Sequence, residues 1–91
     1  MAICVYFVPV SMNAGQYQQA VKLIAEAGQG APPGRLYHVC FGTGDKLQVF
    51  DIWKTQAEWD EFSPFVAKAS EALGVEVASI DIEPVVNIIK P

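Results

Sequence analysis

His38 is the only histidine in the chain, and imidazole is the side chain whose ordinary pKa places proton exchange near neutrality. On a strand reading Arg35–Phe41 it shares a face with Leu36 and Cys40. There it could act as a general base or as a donor orienting a ligand oxygen, although a half-buried histidine with one hydrogen-bond partner would look the same. Asp51 falls in a strand that reads as central, where an unpaired carboxylate is costly. It could polarise His38, or instead bond to backbone, to Arg35 or at a dimer seam. Parity matters, because residues directly opposite each other share a face of the sheet. A regular hairpin pairing Phe41 with Leu47 sets His38 opposite Phe50 and leaves Asp51 on the other face, so only a one-residue bulge brings the two together.

Asn87, flanked by Val86 and Ile88, is an amide on a hydrophobic segment. It either bonds neighbouring backbone or orients a ligand oxygen. His38, Asn87 and Asp51 are thus the catalytic candidates. Tyr6, Trp53, Trp59, Phe62 and Phe65 are the substrate-binding candidates, since small-molecule sites are mostly apolar with a few polar anchors. The same aromatics at the same spacing would also build a plain core. No metal or cofactor is expected. His38 and Cys40 are too few to hold a metal, and Gly28-Gln-Gly30 and Gly42-Thr-Gly44 match neither phosphate-loop nor dinucleotide spacing. No Ser/Cys-His-Asp constellation has supporting context.

Composition narrows the partners. The formal charge of −4 and the pI near 4.7 argue against nucleic acid, because phosphate contacts need clustered Lys and Arg, and the six basic residues here are scattered. The apolar run Met1–Val10 is too short to span a bilayer and contains Pro9. It also lacks the pattern of a signal peptide, so a soluble, cytoplasmic protein is the expectation. At 91 residues the chain has room for one domain, residues 1–91. It is 52% hydrophobic and only 18% charged, more apolar surface than a lone domain of this size readily hides, and association is the simplest remedy.

The elements that must carry these residues follow from periodicity. Ala2–Val10 is apolar on both alternating sets, as in a strand covered on both faces. Asn13-Ala-Gly-Gln16 has the spacing of a helix cap. Tyr17, Ala20, Val21 and Ile24 then recur at helical period until Gly28 and Gly30 end the helix. Strands at Arg35–Phe41 and Lys46–Lys54 flank Gly42-Thr-Gly-Asp45, a hairpin turn. Thr55-Gln-Ala-Glu58 is a capping box opening a second helix whose Trp59, Phe62, Val66, Ala69 and Leu73 share a face. Ser63-Pro64 predicts a kink, or a restart at Pro64. Gly74 closes the helix, and Val75–Ile89 supplies a last strand bent or broken at Pro84.

The order strand–helix–strand–strand–helix–strand gives the ferredoxin-like α+β arrangement, a four-stranded antiparallel sheet with both helices on one face. Right-handed crossovers put the first and third strands at the centre. The other sheet face is also apolar, and a second copy is its natural cover, so a homodimer is expected. Cys4 and Cys40 lie on strands separated by a third. Two strand spacings, roughly 9–10 Å, exceed the roughly 4.4–6.8 Å between Cα atoms of a disulfide, so two free thiols are expected.

With this order in place, Val49-Phe-Asp-Ile-Trp-Lys-Thr-Gln-Ala-Glu-Trp59 and the terminal Pro84-Val-Val-Asn-Ile-Ile89 give the chain a resemblance to the dimeric α/β-barrel superfamily, close to the antibiotic-biosynthesis-monooxygenase-like proteins. The resemblance implies a homodimer whose two sheets face each other as a barrel, with a pocket in each protomer between helices and sheet. Activities across that superfamily are diverse, and fold alone does not select one. Many relatives carry His in the final Pro-Val-x-Asn segment, where this chain has Val86, a departure that removes a titratable group from that place. The leading expectation is a homodimer binding a small apolar or aromatic organic molecule. The alternatives are a cofactor-independent monooxygenase acting on an aromatic substrate, which the resemblance alone suggests, and a structural or regulatory dimer without a ligand.

Overall fold

The computed structural model describes every residue from Met1 to Pro91. Strand β1 (Ile3–Pro9), helix α1 (Ala14–Glu26), strands β2 (Arg35–Phe41) and β3 (Gln48–Trp53), helix α2 (Gln56–Leu73) and strand β4 (Val77–Pro84) follow in chain order. The strands form one four-stranded sheet in the order β2-β3-β1-β4, with β1 and β3 central. All neighbouring pairs are antiparallel, which is the ferredoxin-like arrangement. No helix is long and apolar enough to cross a membrane.

Both helices start where the sequence supplies a cap. The Asn13 side chain accepts from the Gln16 backbone N–H while the Gln16 side chain accepts from that of Asn13, a reciprocal box. Thr55 Oγ1 accepts from the Glu58 N–H at 3.2 Å, and its hydroxyl donates to Glu58 Oε1 at 3.0 Å. Gly74 takes the left-handed conformation, φ 67°, that ends α2. The helix does not restart at Pro64: α2 is continuous through it. Proline has no N–H for the carbonyl four residues earlier, that of Asp60. The Ser63 hydroxyl takes that place, donating to Asp60 O at 3.2 Å.

Alternation then sorts the side chains. Ile3, Val5 and Phe7 of β1 point to the helices and are buried, while Cys4, Tyr6 and Val8 point away. Under the helices at one end of the sheet, Ile3, Val5, Trp53, Trp59 and Phe62 form a packed cluster with Ile24 and Val66 against it. The Trp53 ring sits 5.8 Å from Trp59 and 5.0 Å from Phe62. On the opposite face, Tyr37, Val39 and Phe41 of β2 remain 41%, 49% and 43% exposed. They continue through Phe50 and Ile52, their β3 partners, into an apolar surface with no helix over it. The cysteines are free, on different strands and on opposite faces.

Two expected strands are shorter than their sequence pattern. The last one breaks at Pro84: the Val85 N–H still reaches Ala2 O at 2.9 Å, but residues 85–91 lie outside any strand. The third begins at Gln48 rather than Lys46, because the preceding residues are drawn to Met12. The Met12 N–H donates to Asp45 O at 2.8 Å and the Leu47 N–H to Met12 O at 3.2 Å. This lengthens the hairpin loop by one residue, so Phe41 pairs with Gln48, not Leu47. The loop closes tightly on Gly42 (φ 123°), where a Cβ would sit 2.5 Å from Lys46 O.

Candidate functional site

That one-residue change in loop length decides the site. It sets His38 directly opposite Asp51, and both side chains point to the helix side of the sheet. The sequence left their meeting conditional on a bulge. The structure achieves it at the hairpin end, through the backbone bonds of Met12 to Asp45 and Leu47.

His38 Nδ1 lies 2.5 Å from Asp51 Oδ1, and His38 Nε2 lies 2.6 Å from the Tyr17 hydroxyl on α1. The Trp53 indole N–H donates to Asp51 Oδ2 at 3.3 Å. Asp51 is only 5% exposed, yet both its oxygens are engaged, and no buried side-chain nitrogen or oxygen lacks a partner. The cost expected of a carboxylate in a central strand is therefore offset by two donors. The Tyr17 phenol is held above its ordinary pKa, first by burial and then by the nearby Cys40 and Asp51, with Arg35 pulling the other way. A phenol that keeps its proton donates to Nε2, which places the proton of a neutral imidazole on Nδ1, donating to Asp51. With a neutral imidazole the three side chains fit together in this one tautomer.

The row forms the polar wall of a cavity of about 160 Å³ between the helices and the sheet. Phe7 and Val49 make the sheet side, Val21 and Ile24 of α1 and Phe62 and Val66 of α2 the helix side. Arg35 also lines it. Strict alternation would place Arg35 with Tyr37, Val39 and Phe41 on the opposite face. Between Arg35 and Tyr37, however, β2 carries an extra residue relative to β3, and this bulge turns Arg35 to the cavity side, opposite Trp53. Its guanidinium lies 5.6 Å over the Phe62 ring and donates to Gly30 O at 3.4 Å. No Lys or Arg side chain in the molecule pairs with a carboxylate, so Arg35 has no carboxylate partner.

The other sequence candidates distribute unevenly. Phe62 lines this cavity. Trp53 and Trp59 are buried in the packed cluster beside it, Trp53 reaching the row only through its N–H. Phe65 faces a separate groove between α1 and α2. Tyr6 is on the opposite sheet face, since it alternates with Val5 and Phe7; it donates to Gln48 and stacks on Phe41. Asn87 is exposed in the terminal segment, because Pro84 ends the strand that would have carried it inward. Tyr17 and Arg35 also line the cavity, though their sequence context does not mark them. By periodicity Tyr17 is one residue of an apolar helix face. Arg35 was hidden by the bulge.

The row can move a proton. A ligand hydroxyl against the Tyr17 oxygen can give up its proton as Tyr17 passes its own to His38 Nε2. Asp51 then faces an imidazolium, the arrangement that lets a carboxylate–histidine pair act as a base.

No family model matches the chain, and no curated protein matches it. Solved structures do match it in shape. A candidate antibiotic biosynthesis monooxygenase from Chloroflexus aurantiacus superposes with a TM-score of 0.69 at 14% identity, over 99% of this chain and 98% of that one. A variant of SnoaB, a cofactor-independent oxygenase from Streptomyces nogalater, gives 0.67 at 11% identity, over 99% and 98%. A protein of unknown function from Nitrosomonas europaea gives 0.62 at 20% identity, over 100% and 96%. The chain therefore has the fold of the antibiotic-biosynthesis-monooxygenase-like proteins, as its strand and cap motifs suggested.

Proposed function

We propose that this chain binds a small apolar or aromatic molecule in the cavity between helices and sheet, and that the Tyr17–His38–Asp51 row takes a proton from a hydroxyl of that molecule. The observation that carries this is the position of the row. A fully bonded His–Asp pair with a phenol on its free nitrogen forms one wall of an otherwise apolar cavity. A filled interior would have favoured a purely structural dimer; the open cavity speaks for a ligand. The test is a thermal-shift screen of simple phenols. Stabilisation of the wild type that is lost in His38→Ala supports the reading, and a panel with no effect on either protein refutes it.

A second reading is cofactor-independent oxygenation, supported by the shared fold with SnoaB. A phenol deprotonated by the row is electron-rich enough to be oxidised by molecular oxygen supplied from solution. Oxygen consumption with a hydroquinone, abolished by His38→Ala, is the expected result; no uptake across a broad phenol panel counts against it. We further propose that two copies pair through the exposed face of Tyr37, Val39 and Phe41. Sedimentation should give a dimer at micromolar concentration that Val39→Asp splits, whereas a wild-type monomer would contradict the pairing.

A further inference from the structure

The cavity defines its ligand by size and by charge. At about 160 Å³ it is close to the engineered apolar cavity of roughly 150 Å³ that accepts benzene. One ring with small substituents fills such a volume, and fused polycyclic systems would extend out through its opening. The charge is set by what is left unpaired. Asp51 already accepts from both His38 and Trp53. Arg35 faces the same cavity with one long bond to a backbone carbonyl, a cation–ring contact with Phe62, and no carboxylate. An unpaired, half-buried guanidinium beside apolar walls is suited to a planar anion, which it can hold through two parallel hydrogen bonds.

We infer that the ligand is a single-ring aromatic acid carrying a hydroxyl, its carboxylate on Arg35 and its hydroxyl on Tyr17. This rests on the ligand-site reading above and goes further in naming the chemical class. The cavity's two polar stations, the Arg35 fork and the Tyr17–His38 pair, then hold opposite ends of one ring, and Phe62 packs against its face.

The experiment is calorimetric titration of the full chain with para-hydroxybenzoate, its neutral analogue para-hydroxybenzamide, and a three-ring anthracene carboxylate. Wild type should bind the acid at least about tenfold more tightly than the amide, the range expected of a charge-assisted pair. Arg35→Met, checked for folding by circular dichroism, should bind the two alike. The anthracene carboxylate should bind more weakly than the single ring. Equal affinity for acid and amide in the wild type overturns the inference while leaving the ligand site standing, and so does an acid preference that survives in Arg35→Met. Tighter binding of the three-ring compound overturns the size assignment. Failure of every ring compound, neutral ones included, sinks both the inference and the reading on which it rests.

Discussion

The two ends of the helix-covered sheet face are built from the same strands and helices yet do opposite things. At one end Ile3, Val5, Trp53, Trp59 and Phe62 form one packed cluster. At the other, Phe7 and Val49 stand beside His38 and Asp51, and a cavity remains, which Arg35 and Phe62 reach from the packed end. The difference lies in side-chain shape and hydrogen bonding. Indoles and phenyl rings fill the gap under a helix and bury roughly 150–250 Å² each. A histidine and an aspartate locked to each other cannot spread to fill it, and their partners hold them in place. Trp53 belongs to both ends: its ring packs in the cluster while its N–H holds Asp51. The packed end is thus the support that fixes the polar row.

Substitutions should separate the two ends. Trp53→Ala is expected to be the most damaging, lowering stability by about 3–5 kcal/mol in urea unfolding, since it empties the cluster and strips a donor from Asp51. A loss below 1 kcal/mol, on the order of a surface change, would mean the cluster does not anchor the sheet. His38→Ala should cost less, about 1–3 kcal/mol, most of it from leaving Asp51 buried with one donor. If it proved neutral, the pair would not be formed in solution. Tyr17→Phe removes one half-exposed hydroxyl and should cost no more than about 1.5 kcal/mol by the same assay, yet it should abolish whatever proton transfer the row supports. Smallest is the effect of pH. Tyr17 is held above its ordinary value chiefly by burial. The folded state therefore keeps this proton longer than the unfolded chain does, and its contribution is intact below the ordinary phenol range. That contribution falls away as pH rises through the shifted value. A phenolate absorbance titration should show one tyrosine ionising late in the wild type and none so late in Tyr17→Phe.

The sequence exposed most of the frame. Caps at Asn13 and Thr55, the αL glycine at 74, the two-sided apolar pattern of β1 and the central place of β3 were all readable, because each rests on local chemistry. The site was readable only in part. His38 and Asp51 stood out as polar residues in apolar strands, but their facing depended on parity, and parity turned on the backbone bonds of Met12 to Asp45 and Leu47, which join residues distant in sequence. The bulge that turns Arg35 inward leaves no signature in Arg35-Leu-Tyr-His38. Asn87 looked like an inward amide only while its strand was taken to continue past Pro84. Tyr17 was camouflaged, since an aromatic on the apolar side of a helix reads as core.

The most direct test of the central claim is a heteronuclear NMR titration of the folded protein with para-hydroxybenzoate. Shift changes should cluster on residues lining the cavity, above all Tyr17, Val21, Arg35, His38 and Phe62, with the His38 nitrogens moving as their bonding changes. Changes confined to the exposed Tyr37–Val39–Phe41 face or to the groove of Leu23 and Ala72, or no changes at all, would contradict a ligand site at the Tyr17–His38–Asp51 row.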